Sequence, residues 1–283
     1  MKPEASEDKG RVEDEESAEN PSDIVGENLV VGYGAGENVI ENESMVAEPG
    51  KVTALVGPNG SGKSTLLKAL ANHLAPDEGV VSVDGSEIND LNKKEIARRL
   101  SMLSQESISP DSITVEELVT HGRYPHRGFF ETMTKEDREA VERAIELAGI
   151  EHLRNRELGS LSGGQKQLAW IAMVLAQETG VLLLDEPTIF LDLRHQLEVM
   201  RIVETLRDES DVTVVVVLHD INQAARYSDR MVVLKDGCVS ARGKPEEVLT
   251  EELLADVFGI EARVENTDRG PRIEPLRPTE DDG

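Results

Sequence analysis

Gly57-Pro-Asn-Gly-Ser-Gly-Lys-Ser-Thr65 is the stretch that decides the fold. It follows the apolar run Lys51–Val56, which predicts a buried strand, and it leads into Ser64–Asn72, which predicts a helix. A glycine-rich turn in this context directs backbone N–H groups at phosphate oxygens, and the helix N-terminus adds positive potential. We therefore predict a nucleotide phosphate-binding loop on an α/β core.

The polar groups of this loop have separate expected roles. Lys63 is expected to contact the outer phosphates and to act in catalysis, Ser64 to ligate Mg²⁺, and Thr65 to assist at the α-phosphate. A glycine-rich turn without a phosphate is the alternative, and the complete pattern between a strand and a helix disfavours it. The ATP-binding residues predicted in the loop are Gly57, Pro58, Asn59, Gly60, Ser61, Gly62, Lys63, Ser64 and Thr65.

Two adjacent carboxylates end a second buried strand, Val181–Leu184. Asp185 stands at the carboxyl end of this strand, where it can reach Mg²⁺ directly or through water. Glu186 points to the other side and is expected to polarise the water that attacks the phosphate. Acidic pairs at strand ends are commonly solvated caps, so this prediction depends on the phosphate loop being present.

Gln105 and His219 each follow a predicted strand, Leu100–Leu103 and Val214–Leu218 respectively. The neutral amide of Gln105 is expected to ligate Mg²⁺ and to act in catalysis. The imidazole of His219 is expected to hydrogen-bond the γ-phosphate and to orient Glu186. A solvated loop glutamine and a packed or capping histidine are the alternatives.

A second candidate anion site lies about a hundred residues after the first. Leu161-Ser162-Gly163-Gly164-Gln165 precedes a helix predicted to begin near Lys166. A hydroxyl and two glycine N–H groups at a helix N-terminus suit a phosphate, although a plain helix cap is the alternative. One nucleotide does not need two such sites within one chain. A head-to-tail homodimer, in which each segment covers the other chain's nucleotide, resolves the duplication.

The charge of the chain excludes several functions. The 283 residues include 56 acidic and 30 basic residues, a net charge of −26, which disfavours binding to nucleic acid or to anionic lipid. We favour adaptation to a salt-rich cytosol over an ordinary protein with acidic tails, because acidic residues also crowd Thr134–Glu151. The single cysteine, Cys238, permits no internal disulfide. No apolar run approaches the roughly 20 residues of a membrane-spanning helix, and the N-terminus does not read as a secretory signal.

The composition divides the chain into three parts. We predict a disordered acidic tail over residues 1–26, a domain over 27–264 with a helical subdomain at about 90–165, and a flexible C-terminal tail over 265–283. Residues Asn28–Tyr33 are predicted to form an edge strand. From 168 to 258 helices alternate with strands, which favours a parallel sheet with crossover helices.

The order of these motifs closely resembles the nucleotide-binding subunit of ATP-binding cassette (ABC) transporters over residues 28–260. The resemblance implies a P-loop NTPase fold of ABC type, with an antiparallel β subdomain and an inserted α-helical subdomain. It implies that Tyr33 stacks on the adenine of ATP. It also implies that Asp192 couples the two nucleotide sites across the dimer and joins Leu161–Gln165 in contacting the partner's ATP. A helix N-cap is a second role open to Asp192.

The finer resemblance is to importer ATPases for iron–siderophore complexes, haem and vitamin B12, with the ferric-siderophore branch fitting best. It is carried by residues 119–126, 191–196 and 218–227. Two departures from the family are Leu168, where relatives usually carry arginine, and the apolar loop Thr188-Ile189-Phe190.

The resemblance also implies partners. A membrane permease would dock on the region of about 105–130, and an extracytoplasmic substrate-binding protein would act indirectly. The protein would lie at the cytoplasmic face of the membrane with ATP and Mg²⁺ as cofactors. A structured loop that packs its own aromatic side chains is the alternative for the docking region. The basic and aromatic residues of that region are Arg123, Tyr124, His126, Arg127, Phe129 and Phe130.

Three other functions are alternatives to the predicted transport ATPase of an importer. They are a soluble ABC-type ATPase not coupled to transport, a silent nucleotide-binding regulator, and the ATPase subunit of an exporter. The absence of a coiled-coil insert or a tandem cassette disfavours the first. The set Lys63, Asp185, Glu186 and His219 disfavours the second. The direction of transport belongs largely to the permease, so the third stays open.

Overall fold

A computed structural model of the chain describes residues 23–34, 36–105, 110–128 and 131–279. Within these ranges the strands are β1 (Ile24–Gly32), β2 (Asn38–Ala47), β3 (Val52–Val56), β4 (Glu78–Val83), β5 (Ser86–Glu87), β6 (Leu100–Leu103), β7 (Val181–Asp185), β8 (Thr213–Val217), β9 (Arg230–Lys235), β10 (Cys238–Gly243), β11 (Ile260–Thr267) and β12 (Gly270–Pro278). The α-helices are α1 (Lys63–Leu70), α2 (Lys93–Arg99), α3 (Val115–His121), α4 (Lys135–Leu147), α5 (Gly163–Leu175), α6 (Leu193–Glu209), α7 (Ile221–Tyr227), α8 (Pro245–Val248) and α9 (Glu251–Phe258).

A six-stranded sheet in the order β10-β9-β3-β8-β7-β6 forms the centre of the molecule. The inner pairs are parallel, and only β10 joins antiparallel to its neighbour. Strands β3, β7 and β8 are buried along their whole length because helices cover both faces, which is why they read as unbroken apolar runs. Their carboxyl ends meet at one edge of the sheet, where ligands bind in this architecture.

An antiparallel sheet in the order β2-β1-β4-β5 lies beside the central sheet. The prediction that Asn28–Tyr33 is an edge strand is wrong, because β1 pairs with β2 on one side and with β4 on the other. Strand β2 is an edge of this sheet, and Val46 on it is 56% exposed. The partner of β1 comes from about fifty residues along the chain, so local alternation could not reveal it.

Helices α3, α4 and α5 pack against one another between β6 and β7 and form the helical insert. Helices α3 and α4 begin with capping boxes at Thr114 and Thr134. The predicted α/β fold with an antiparallel sheet and a helical insert is confirmed. The insert begins later than the predicted range of 90–165, because β6 pairs in parallel with β7 and so belongs to the central sheet, and it ends later, because α5 extends to Leu175.

The chain is ordered beyond the predicted boundaries of the domain. Strand β1 begins at Ile24, whose side chain is fully buried, whereas the predicted acidic tail ran to residue 26. Strands β11 and β12 form a hairpin, so the expected flexible tail over 265–283 is wrong up to residue 278. The hairpin holds Ala262 and Ile273 in the main core, and it packs on α7 and α9. Residues 1–22 and 280–283 lie outside the described residues.

In the described part of the chain, no helix combines the length and the apolar character required to cross a membrane.

Candidate nucleotide and catalytic site

The phosphate loop joins β3 to α1 in the predicted position. Gly57 has a φ of +151°, and a Cβ there would lie 2.1 Å from the carbonyl oxygen of Leu234, so only glycine fits. Gly62 has a φ of +97° and ends the loop as the N-cap of α1. A Cβ at Gly60 would meet no atom within 4 Å, which leaves the loop open toward the cleft.

Lys63 lies across the inside of the loop. Its Nζ donates to the carbonyl oxygens of Gly57, at 3.0 Å, and Pro58, at 2.8 Å. Burial lowers the pKa of Lys63, against the opposing effect of the Glu186 and Asp185 carboxylates. A buried ammonium held only by carbonyl oxygens can exchange these contacts for the stronger ones that phosphate oxygens offer. The geometry therefore suits the predicted contact with the outer phosphates.

Ser64 and Asp185 form a candidate cation site beside this loop. The hydroxyl of Ser64 donates to Oδ1 of Asp185 at 2.7 Å, whereas Oδ2 is buried and has no hydrogen-bond partner among the described residues. Burial raises the pKa of Asp185, and the nearby Glu186 carboxylate acts in the same direction. A buried carboxylate oxygen without a partner, next to a hydroxyl oxygen, fits a hard divalent cation such as Mg²⁺.

A cation here would need further ligands. Across the described ranges, no group of three or more His, Cys, Asp or Glu side chains could hold a metal ion by itself. Mg²⁺ in nucleotide sites typically takes one or two protein ligands together with phosphate oxygens and waters. The pair Ser64 and Asp185 meets that pattern.

Glu186 lies between two of the predicted catalytic residues. Its Oε1 is 2.7 Å from Nε2 of His219, and its Oε2 accepts a hydrogen bond of 3.0 Å from Nε2 of Gln105. Glu186 adopts a φ of +51° and is 9% exposed. The strand ends of β6, β7 and β8 thus bring together three side chains that are far apart in sequence. In this structure Gln105 contacts Glu186, and its role as a Mg²⁺ ligand stays a prediction.

These groups face a cleft of about 910 Å³ above the phosphate loop. The cleft has room for a nucleotide, and it also receives two glutamines that we did not predict, Gln196 and Gln223. Gln223 lies in the first turn of α7, four residues after His219, and this closeness in sequence to a predicted site residue was the available signal. The described residues that line the cleft are Val39, Asn59, Gly60, Gly62, Lys63, Ser64, Thr65, Gln105, Glu186, Thr188, Ile189, Phe190, Gln196, His219, Asp220 and Gln223.

Tyr33 lies beside the loop rather than in the cleft. Its hydroxyl is 3.3 Å from Oγ1 of Thr65, and the residue is 55% exposed. An exposed ring next to the phosphate loop is available to a base, and the stacking on adenine stays a prediction.

The segment Leu161–Gln165 does not reach the cleft among the described residues of its own chain. Ser162 is the N-cap of α5 and forms a capping box with Gln165, while Leu161 is 8% exposed and belongs to the core. A Cβ at Gly163 would meet nothing within 4 Å, which leaves its backbone open. The predicted contact with a nucleotide of a partner chain therefore stays a prediction for all five residues.

Asp192 caps α6, as the alternative for this residue predicted. Its Oδ1 accepts from the backbone N–H of His195 at 3.0 Å, and Nδ1 of the same histidine lies 2.9 Å from both carboxylate oxygens. The backbone hydrogen bond from His195 is the main cause that lowers the pKa of Asp192. The role of Asp192 in coupling the two nucleotide sites across a dimer stays a prediction.

The two departures from the family pattern have different surroundings. Leu168 is 4% exposed and packs in the main core, so the missing arginine has an apolar replacement there. Phe190 is 93% exposed and has a φ of +58°.

The prediction that Arg123 belongs to the surface on which a permease docks is wrong. It is 5% exposed, and its guanidinium contacts Asp137 and Glu178 at 2.9 Å each and donates to the Ala176 carbonyl oxygen. The ion pair with Asp137 ties α4 to the end of α3, which a local sequence pattern cannot show. Phe129 and Phe130 lie outside the described residues.

Tyr124 is the exposed aromatic side chain of this region, at 58%, and it stacks on His121 with ring centroids 4.9 Å apart. Nε2 of His126 lies 2.7 Å from the carbonyl oxygen of Gln177, so this histidine also has a structural contact. The patch thus contains both an exposed tyrosine stacked on a half-buried histidine and side chains held by the chain itself.

Comparisons with known proteins agree with this geometry. A protein-family model described as ABC transporter matches residues 40–189. The ferric enterobactin transport ATP-binding protein FepC of Escherichia coli (strain K12) is 45% identical over 87% of this chain and 90% of that protein. The petrobactin import ATP-binding protein FpuC of Bacillus anthracis is 47% identical over 84% of this chain and 88% of that protein. The dimeric structure of MJ0796, a bacterial ABC transporter cassette, has a TM-score of 0.70 at 32% identity and covers 78% of this chain and 98% of its own.

Proposed function

We propose, from the premise that this chain belongs to the ABC transporter family, that it is the ATP-binding subunit of an importer for iron–siderophore complexes. Two copies bind two ATP molecules head to tail, hydrolyse them, and drive a separate membrane permease. The observation that carries the ATPase activity is Glu186, held between His219 and Gln105 beside the phosphate loop. The cargo is supported by the names of the relatives, which differ in the siderophore they state.

Hydrolysis requires a water aligned with the γ-phosphate and stabilisation of the charge on the transferred phosphoryl group. Glu186 aligns this water and accepts hydrogen bonding from it, and His219 fixes Oε1 of the carboxylate at 2.7 Å. Lys63 exchanges its contacts with the loop carbonyls for the outer phosphates. Ser64 and Asp185 would hold Mg²⁺, which would supply positive charge to the phosphate oxygens.

The hydrogen bond from Gln105 to Glu186 makes the resting site sensitive to the helical insert. Gln105 follows β6, on the segment that leads toward the insert. Its Nε2 donates to Oε2 of Glu186. An insert displaced by a permease would move Gln105, free this oxygen for water, and let the amide approach the cation. Such coupling would distinguish a transport role from the rival, an ATPase without a membrane partner.

The proposed setting is the cytoplasmic face of the cell membrane, with the permease docked on residues of about 105–130. The exposed ring of Tyr124, stacked on the half-buried His121, supports that surface. An extracytoplasmic substrate-binding protein acts indirectly, and haem and cobalamin are alternative cargoes. An exporter is a second candidate that no residue of this chain favours. The net charge of −26 supports work in a salt-rich cytosol.

Reconstitution tests the proposal. The ATPase and the permease that co-purifies with it are placed in vesicles, and ATP-dependent uptake of a ferric siderophore, haem and cobalamin is compared. Uptake of the ferric siderophore, abolished by Glu186→Gln in the same vesicles, is the expected result. Uptake of haem or cobalamin alone would contradict the cargo. Hydrolysis that no membrane partner alters would favour the ATPase that is not coupled to transport.

A further inference from the structure

Two glutamines connect the loop of His219 to the loop of Asp192 within one chain. Asp220, which follows His219, caps α7 by accepting from the backbone N–H of Gln223 at 3.1 Å. Nε2 of Gln223 donates to Oε1 of Gln196 at 3.0 Å. Nε2 of Gln196 in turn donates to the carbonyl oxygen of Leu191 at 3.1 Å. The chain of hydrogen bonds runs from α7 through the first turn of α6 to the residue before Asp192.

The orientation of both amides follows from the last contact. A carbonyl oxygen only accepts, so Gln196 must present Nε2 to Leu191 and keep Oε1 for Gln223. Gln223 must then donate through Nε2, and its own Oε1 is left buried with no donor among the described residues. A buried acceptor without a donor carries a desolvation cost, so a movement of Gln223 that gave Oε1 a donor would be favourable.

A separate set of contacts holds the same loop from the other side. His195 binds the Asp192 carboxylate through Nδ1, and its ring lies against Gly164, where an added Cβ would be 2.4 Å from Cγ of the histidine. The first turn of α6 therefore contacts both α7 and the segment Leu161–Gln165. A movement that starts at His219 can reach these residues through side chains that are already in contact.

We propose that Gln223 and Gln196 are positioning residues that couple the loop of His219 to the loop of Asp192, so that the state of one nucleotide site sets the geometry offered to the other. The coupling rests on the proposed function, because Asp192 faces the other nucleotide only in the head-to-tail dimer. Neither glutamine is assigned a chemical step. Each transmits the position of a backbone segment through one hydrogen bond.

The test compares Gln196→Met, Gln223→Met and the double variant, because methionine keeps the size of glutamine and removes both polar atoms. Each single variant is expected to lower kcat about tenfold, which is less than the roughly 100-fold that a 1 Å misplacement of a reacting group can cost. The KM for ATP is expected to stay within about twofold, since neither glutamine is needed to hold the phosphates. The Hill coefficient for ATP should fall toward 1.

The double variant tests whether the two glutamines act as one unit, and the KM and the Hill coefficient separate coupling from damage to the nucleotide site. A relay is broken by either change, so the double variant should be no slower than the slower single variant, whereas independent effects would multiply. Asn222→Ala is the matched control: Asn222 also lies on α7, and its side chain forms two hydrogen bonds with the backbone of Ile273 in the C-terminal hairpin. This control should lower the thermal midpoint and leave kcat and the Hill coefficient unchanged.

Two results would overturn the coupling, and they can be told apart. Suppose that the wild type hydrolyses ATP cooperatively as a dimer. The coupling alone is then overturned if the single variants behave like the wild type, or if the losses in the double variant are multiplicative. A wild type that hydrolyses ATP as a monomer overturns the dimer of the proposed function and the coupling with it.

Discussion

Nε2 of His219 lies 2.7 Å from Oε1 of Glu186, although 33 residues separate them in the sequence. Glu186→Gln removes the carboxylate that we propose aligns the attacking water, and it keeps the size of the side chain. We expect kcat to fall at least about a hundredfold, which is the lower end of general-base contributions. ATP binding should persist, and the ATP-bound dimer should accumulate.

Phosphate release measures the rate of this variant, and size-exclusion chromatography with ATP measures its dimer. Glu252→Gln, an exposed change on α9, is the control and should leave both unchanged. Retention of more than a tenth of the wild-type rate would remove Glu186 from its proposed role.

The two glycines of the segment Leu161–Gln165 should respond differently to alanine. A Cβ at Gly164 would lie 2.4 Å from the His195 ring, whereas a Cβ at Gly163 meets nothing within 4 Å. We expect Gly164→Ala to destabilise the isolated chain by about 1–3 kcal/mol through overpacking. Gly163→Ala should leave chain stability unchanged but weaken ATP-driven dimerisation, because the partner's nucleotide would approach there. Denaturant unfolding and dimerisation assays separate the two, and equal stability losses would contradict this geometry.

The buried ion pair of Arg123 and Asp137 should contribute to stability in a pH-dependent way. Burial alone would raise the pKa of Asp137, but hydrogen bonds from the Thr134 backbone and the Arg123 side chain outweigh it and hold the pKa below 3.8. The stabilising contribution is therefore complete above pH 3.8 and is lost as the pH falls further.

Arg123→Ala should cost about 3–5 kcal/mol at pH 7, because it leaves a buried carboxylate unpaired. Arg143→Ala is the matched control: its side chain is 59% exposed and pairs with Glu178, so a loss of about 1 kcal/mol or less is expected. Urea unfolding at pH 7 and at pH 3 measures both variants. A loss of stability for Arg123→Ala as small as that for Arg143→Ala would mean that Arg123 is an exposed residue of the docking surface.

The C-terminal hairpin offers a matched pair of apolar side chains. Ile273 is 5% exposed in the main core, and Leu276 on the same strand is 52% exposed. Ile273→Ala should destabilise by about 2–5 kcal/mol, whereas Leu276→Ala should change stability by about 0.5 kcal/mol or less. The free energy of unfolding measures both. Equal small effects would mean that residues 265–278 do form a flexible tail.

Salt should stabilise the protein if its charge reflects a salt-rich cytosol. Screening shortens the range of repulsion from about 10 Å at 0.1 M salt to about 3 Å at 1 M. The thermal midpoint should therefore rise as KCl is raised over this range. Residues 1–22 contain eight acidic and three basic residues, so a variant without them keeps most of the charge and should keep the salt dependence. Full stability in dilute buffer would contradict the adaptation, and salt dependence lost with the tail would favour the alternative of acidic tails.

The phosphate loop and the strand before Asp185 were predictable because both depend on neighbours in sequence. Gly57 and Gly62 have positive φ angles, which other residues resist. The strand β3 before this loop is apolar because helices cover both faces of the sheet. Arg123 was not predictable. Its type and position suit a surface patch, and its burial depends on Asp137 and Glu178, which come from other elements.

The sequence by itself determined the α/β core and the glycine-rich loop between a strand and a helix, and it supplied the candidate groups for ATP hydrolysis, since these follow from local periodicity and from motifs a few residues long. Only the tertiary structure decided that Gln105, Glu186 and His219 form one cluster, that Gln196 and Gln223 lie in the cleft, and that the C-terminal residues form a hairpin. The physical reason is that strand order sets which strand ends lie side by side. That order is fixed by pairing between segments tens to more than a hundred residues apart, which no local pattern records.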